Sequence, residues 1–199
     1  MMHDSLPYKR LPLFPLNILP LPGELTPLHI FEPRYRQLLF DAEAKDISFG
    51  IYCNHPTNTK KIGAVVKLES VIKRYKSGES DIIVKCLDLF TLMAEYKTFR
   101  DKPYPGGDIS TWDIDLTKPV NPELLMLFVE YMGMLKMYHH PASCSVYHIA
   151  NELNFDLREK FRFLDTPSEK QEQFLFNNLQ FQKKIFNAVE NSKDVFHLN

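Results

Sequence analysis

The chain has 199 residues, 44% of them hydrophobic, enough for one large domain or two small ones with a real core. Its 24 basic and 25 acidic residues leave a net charge of -1, so no broad field draws it to nucleic acid or an anionic membrane, and only a local basic patch could do so. Its cysteines, Cys53, Cys86 and Cys144, are odd in number, far apart and without a C-x-x-C, which argues against a disulfide framework or zinc ribbon and for a reducing, cytoplasmic setting.

The first residues, Met1 to Pro7, lack the basic start and apolar run of a signal peptide. The longest apolar run, Leu124 to Val129, is far too short to span a bilayer, so a soluble intracellular protein is expected. The first half of the chain reads as β-rich. Strands are expected near Lys9–Leu13, Glu24–Ile30, Ile47–Cys53, Lys61–Tyr75, Asp81–Lys97 and Asp108–Leu116. In the fourth, Ala64, Val66, Leu68 and Ile72 share one parity while Lys67, Glu69 and Lys73 share the other, the pattern of a half-buried strand. Lys76-Ser77-Gly78-Glu79 supplies a turn. In the fifth strand the apolar parity changes between Cys86 and Leu87, which predicts a bulge. The prolines at 12, 15, 20, 22 and 27 suit strand edges and irregular crossings.

Between the second and third strands lies one helix. Pro33 sits at a first helical position, where a missing N–H costs nothing. Tyr35, Leu38, Leu39 and Ala42 then fall on one face, and Glu32 and Arg36 are spaced to pair across a turn. Five or six strands with one helix predict a small closed or partly closed barrel.

After Thr117-Lys118-Pro119 the chain reads as helix, giving a division into residues 1–118 and 119–199. Asn121, Pro122 and Glu123 form a helix start, followed by an apolar face of Leu124, Leu125, Phe128, Met132 and Leu135. A short helix near Ser145–Leu153 follows. Asp156 and Glu159 make a capping box for a third, with Phe161 and Leu164 inward. The last and longest helix begins near Thr166-Pro167-Ser168-Glu169 and carries Phe174, Leu175, Leu179, Phe181, Ile185, Phe186 and Val189 on one broad face. That face is either buried against its neighbours or partly a partner surface.

Residues 11–39, LPLFPLNILPLPGELTPLHIFEPRYRQLL, closely resemble the opening of the N-terminal substrate-binding domain of the Lon (La) ATP-dependent proteases. Residues 145–181, SVYHIANELNFDLREKFRFLDTPSEKQEQFLFNNLQF, resemble the helical part of the same domain. The resemblance implies an α+β fold: a PUA-like β-pseudobarrel with one helix, followed by a C-terminal helical bundle. Where many members have a glycine and, three residues on, an arginine before a phenylalanine, this chain has Cys86 and Leu89 before Phe90.

The motifs of catalysis are missing from the sequence. It has no G-x-x-x-x-G-K-[ST] phosphate loop, no segment like the Lon Ser–Lys pair, and no G-x-S-x-G, H-E-x-x-H or G-x-G-x-x-G. The expectation is a free-standing, non-catalytic member without ATPase or protease domains and without a cofactor. His140, Cys144 and His148, with His139 beside them, have the spacing of soft zinc ligands, but Pro141 breaks a helix there and no carboxylate completes the set. A loop and helix start is the plainer reading. Lys73-Arg74-Tyr75-Lys76 interleaves an aromatic with cations, but nearby Glu69, Glu79 and Asp81 offset it, so a solvated turn is expected.

By the same resemblance, the motif-bearing junction supplies the candidate polypeptide-binding residues: His29, Phe31, Glu32, Arg34 and Tyr35, with Trp112 as a further stacking surface. Each has a structural alternative. His29 can be a hydrogen-bonded structural residue, Glu32, Arg34 and Arg36 can lock the strand–helix junction, and Trp112 can simply pack. The ligand implied is unfolded or extended polypeptide, held in a groove between β part and helices or along a strand edge. A protease or other protein partner and weak self-association fit the same reading. A nucleic-acid or small-molecule binder on a PUA-like barrel is the alternative.

Overall fold

In the computed structural model, which describes residues 8–137 and 143–196, one compact unit ends at Ile114 and a second begins at Asp115. The first holds β1 (Lys9–Leu16), β2 (Leu25–Ile30), α1 (Pro33–Lys45), β3 (Phe49–Cys53), β4 (Ile62–Arg74), β5 (Ser80–Tyr96) and β6 (Gly106–Thr111). The strand order is β2-β5-β4-β3-β1-β6, and β5 also pairs with β6. That last pairing closes a five-stranded ring and leaves β2 as an appended edge. Every pairing is antiparallel except β1 with β3, whose long crossover contains β2 and α1.

Two strands change partner midway. Lys9–Pro12 of β1 pairs with β6, and Leu13–Leu16 pairs with β3. Each half is therefore bonded on one side only, which is how β1 accommodates Pro12 and Pro15 without losing ladder bonds. In β5, Ser80–Lys85 pairs with β2 and Phe90–Tyr96 with β6. The predicted bulge lies between these halves: Asp88 pairs with Val65 and Cys86 with Val66, so Leu87 is left over and exposed.

The barrel is filled by Leu11, Leu13, Val65, Phe90, Leu92 and Ile109. Cys86 and Leu89 are buried too, so the departure from the family pattern lies in the interior. The parity expected for β4 fails at its far end. The register slips between Leu68 and Ser70 and again between Val71 and Lys73, and Ile72 is left 61% exposed. On α1 the expected face of Tyr35, Leu38, Leu39 and Ala42 is buried, and Asp41 is buried with it.

The second unit contains α2 (Pro122–Met134), α3 (Val146–Glu152), α4 (Leu157–Asp165) and α5 (Ser168–Phe196). Asn121 caps α2 by accepting from the Leu124 N–H at 2.8 Å. The buried face of α2 is Leu124, Leu127, Phe128, Tyr131 and Met132, turned slightly from the expected one; Leu125 and Leu135 are only half-buried. The Asp156–Glu159 capping box forms as expected. Phe163 lies at the centre of an aromatic group with Tyr147, Phe155 and Phe174. On α5, Leu175 and Leu179 are buried, while Phe181 and Ile185 are exposed.

Candidate functional site

The candidate residues lie where β2 runs into α1, beside the β4–β5 hairpin. Glu32 is extended and Pro33 begins the helix, so the chain turns sharply without breaking a backbone bond. The Glu32–Arg36 pair expected from spacing gives way to a different arrangement. Glu32 bonds to Arg34 at 2.9 Å, and Arg36 Nε donates to the carbonyl of Phe31 at 2.8 Å. Arg36 also lies against the hairpin turn: a Cβ on Gly78, whose φ is +90°, would fall 2.7 Å from its Nη1. One guanidinium thus bonds the chain just before the helix and lies against the turn.

His29 faces Asp81 on the neighbouring strand, with Nδ1 at 2.6 Å from Oδ1. Because a carboxylate only accepts, Nδ1 carries the proton. Tyr75 donates to the other oxygen of Asp81 at 2.7 Å. The Tyr75 bond and then the His29 bond hold the Asp81 carboxyl below the ordinary carboxylate range. The His29 ring stacks on Phe31 and meets the edge of Tyr75, each at 5.9 Å between centroids. Phe31 is 55% exposed. The result is a polar clamp under an open aromatic surface.

The basic cluster on the hairpin is also accounted for. Arg74 bonds both oxygens of Glu43 on α1, at 2.6 and 2.7 Å, and Lys73 sits 4.4 Å above the Tyr75 ring.

Two candidates do not share this open surface. Tyr35 is 5% exposed and packs on Phe14 at 4.2 Å, so it supports the junction from beneath, with Arg34 over its ring. Trp112 donates to Thr91, ten residues along β5 from Asp81, or roughly 30 Å at 3.3 Å per strand residue.

The suggested zinc ligands fare similarly. His139 and His140 lie outside the described residues. His148 Nδ1 accepts from the Ser145 N–H at 3.0 Å and so caps α3, and Cys144 is buried. Among the described residues no three His, Cys, Asp or Glu side chains are placed to hold a metal ion.

The strand edge of the junction was legible in its prolines; its partners Asp81 and Tyr75 were not, because they come from a strand and a turn far along the chain. Among the described residues β2 pairs with β5 alone. The Cys86 N–H donates to the Glu24 carbonyl at 3.0 Å, so at alternate residues Leu25, Pro27 and His29 turn their backbone groups to the free side. Pro27 therefore costs the sheet nothing. The open edge offers N–H groups at Leu25 and His29 and carbonyls at all three.

A family model for the ATP-dependent protease La (LON) substrate-binding domain matches residues 10–172. The chain belongs to the Lon substrate-binding domain family. Among solved structures, it is similar to a Lon N-terminal domain protein from Xanthomonas campestris, with 23% identity and a TM-score of 0.64, over 84% of this chain and 97% of that one. It is also similar to the N-terminal domain of a Mycobacterium avium complex Lon protease, with 14% identity and a TM-score of 0.62, over 86% of this chain and 98% of that one. At such identities these likenesses establish the shared Lon N-terminal fold. No curated protein matches the chain. The α+β architecture expected from the resemblance is thus the architecture of the family. Among the described residues no helix is long and apolar enough to cross a membrane.

Proposed function

We propose that this Lon-family domain is a non-catalytic module that binds extended or unfolded polypeptide, and that the chain lies along the free edge of β2. Membership of a substrate-binding family supports binding of protein. The observation that carries the placement is the one-sided pairing of β2, flanked by the exposed apolar side chains Leu25 and Phe31. An incoming strand would take main-chain hydrogen bonds from Leu25 and His29 and set alternate side chains on these apolar patches. The Pro27 gap and the six-residue length keep this edge from pairing indiscriminately. Because the ligand must be ordered on binding, affinity is modest, in the micromolar range. A protease or other protein partner would receive such a chain from it. The three buried thiols suit a reducing cytoplasm.

The test is fluorescence anisotropy of a labelled, permanently unfolded polypeptide titrated with the protein, beside a folded control and a short RNA. Saturable binding to the unfolded chain alone is expected. Absence of saturable binding to any unfolded polypeptide would end this reading.

A further inference from the structure

A cavity of about 500 Å³ opens in the first unit between the start of β1, the C-terminal end of α1 and the β5–β6 connection. We propose that it binds a small molecule carrying a phosphate monoester.

The charge on its wall is out of proportion to the chain. The protein as a whole is nearly balanced, yet this one cavity is lined by Lys9, Arg10, Lys45, Arg100 and Lys102, with Asp101 as the only acid among its lining residues. Two of the cations are already committed. Arg10 holds Asp108 at 2.8 Å and lies over the Tyr96 ring, and Lys102 reaches the buried Asp41 at 3.0 Å. Lys9 and Arg100 have no carboxylate partner among the described residues, and Lys45 touches only Asp41, at 3.7 Å. Counting Asp101, Asp41 and Asp108 against the five cations leaves an excess of two positive charges. A phosphate monoester near neutral pH carries between one and two negative charges, which answers that excess.

The wall is preformed. Asp41 accepts from Tyr104 at 2.8 Å as well as from Lys102, so the turn carrying Arg100 is fastened to α1. Within that turn, Lys102 N–H donates to the Phe99 carbonyl at 3.0 Å and Phe99 N–H to the Tyr104 carbonyl at 2.7 Å. Arg100 itself has a φ of +56°, a left-handed backbone that turns it out of the line of its neighbours. Ile47 and Phe99, both half-buried, supply an apolar surface beside the cations. A pocket of this volume, apolar on one side with a few fixed charges, is the size of a small-molecule site and too confined for a nucleic-acid groove. The Phe99 ring stacks on Tyr104 and carries the Arg100 guanidinium over it at 5.3 Å, which sets Arg100 on this wall, and a mononucleotide serves as the first phosphate-monoester probe.

The experiment is isothermal titration of the full chain with adenosine 5′-monophosphate at low salt, beside adenosine, inorganic phosphate and 5′-phosphorylated RNA of increasing length. The expected result is saturable one-to-one binding of the monophosphate, with adenosine at least about tenfold weaker. The double variant Lys9→Gln/Arg100→Gln alters two exposed side chains, and its melting curve checks that the fold is kept. It is expected to weaken the monophosphate by about tenfold or more. No saturable binding of either the monophosphate or inorganic phosphate would overturn the proposal. So would binding that the double variant leaves unchanged, or an affinity that keeps rising with RNA length, which would mark a nucleic-acid surface instead.

Discussion

The Phe90 ring occupies the space where a side chain on Gly63 would stand. A Cβ built on Gly63 would fall 2.2 Å from Phe90 Cζ, and one on Gly50 would fall 2.9 Å from Cε1. Two neighbouring strands thus meet the central ring of the barrel with bare backbone. Gly63→Ala is expected to destabilise the protein by about 1–3 kcal/mol through overpacking. Phe90→Leu alone also costs stability, through a cavity, but the two together should cost less than their sum, since the smaller side chain makes room. Urea unfolding of the four proteins measures this; strict additivity would show that the close approach is not what makes Gly63 necessary.

A second prediction concerns Asn58. It is buried, donates to the carbonyls of Cys53 and Ile62 at 2.8 and 2.7 Å, and accepts from the Ile62 N–H at 2.8 Å. One side chain therefore satisfies the backbone where β3 hands over to β4. Asn58→Ala leaves three polar groups without their partner and should cost about 2–3 kcal/mol. Asn58→Asp keeps the acceptor but turns a carboxylate toward two carbonyl oxygens. It should be as destabilising at neutral pH and partly recover in acid, where a protonated carboxyl can donate. Thermal melts at pH 7 and pH 4 separate the two variants.

The sequence pattern carried the six strands and the helix at Pro33, because alternation, turn residues and caps are local signals. It did not carry the ring. Closure depends on β5 changing partner from β2 to β6, and β1 from β6 to β3, and apart from the shorter β5–β6 link these registers join residues dozens of positions apart. The same limit explains Ile72: each extra residue at a bulge flips the parity of everything beyond it, so a pattern read in one frame puts the wrong side inward. At the candidate site, the strand-to-helix turn was readable from Ile30 to Pro33. The clamp on His29 was not, since Asp81 and Tyr75 are brought there by strand pairing. The basic cavity was invisible for a like reason: its cations come from three separated segments and no two form a motif.

Asp41 gives a prediction in pH. Burial by itself would push its carboxyl up, but the hydrogen bonds from Tyr104 and Lys102 and the Lys102 charge outweigh that and hold it below the ordinary value of 3.8. The phenol of Tyr104, buried and bonded to Asp41, is pushed far up in turn. A carboxyl whose folded value is depressed adds stability that is fully present above its unfolded value and is lost as pH falls through the folded one. Asp41→Asn should therefore cost about 2–3 kcal/mol at pH 7, and the gap to the natural protein should narrow below about pH 4. Chemical denaturation from pH 7 to pH 3 checks it. A gap that stays constant would mean that the carboxylate charge does not contribute.

The β2 edge can be tested by side chain and by backbone. Leu25 is 54% exposed and Phe31 is 55% exposed, so replacing either leaves the core untouched. If a bound polypeptide covers them, Phe31→Ser should weaken it by about tenfold, the worth of burying one large apolar side chain in part. Met93, equally open on the other half of β5, serves as control, and Met93→Ser should leave binding unchanged. The backbone test is Leu25→Pro, which removes one of the two outward N–H groups while the ladder to β5, built on alternate residues, keeps its bonds. Strand addition predicts that this substitution weakens the unfolded polypeptide with little change in melting temperature. If Leu25→Pro binds as well as the natural protein while Phe31→Ser does not, the polypeptide is held by its side chains on the aromatic surface, and no strand is added to β2.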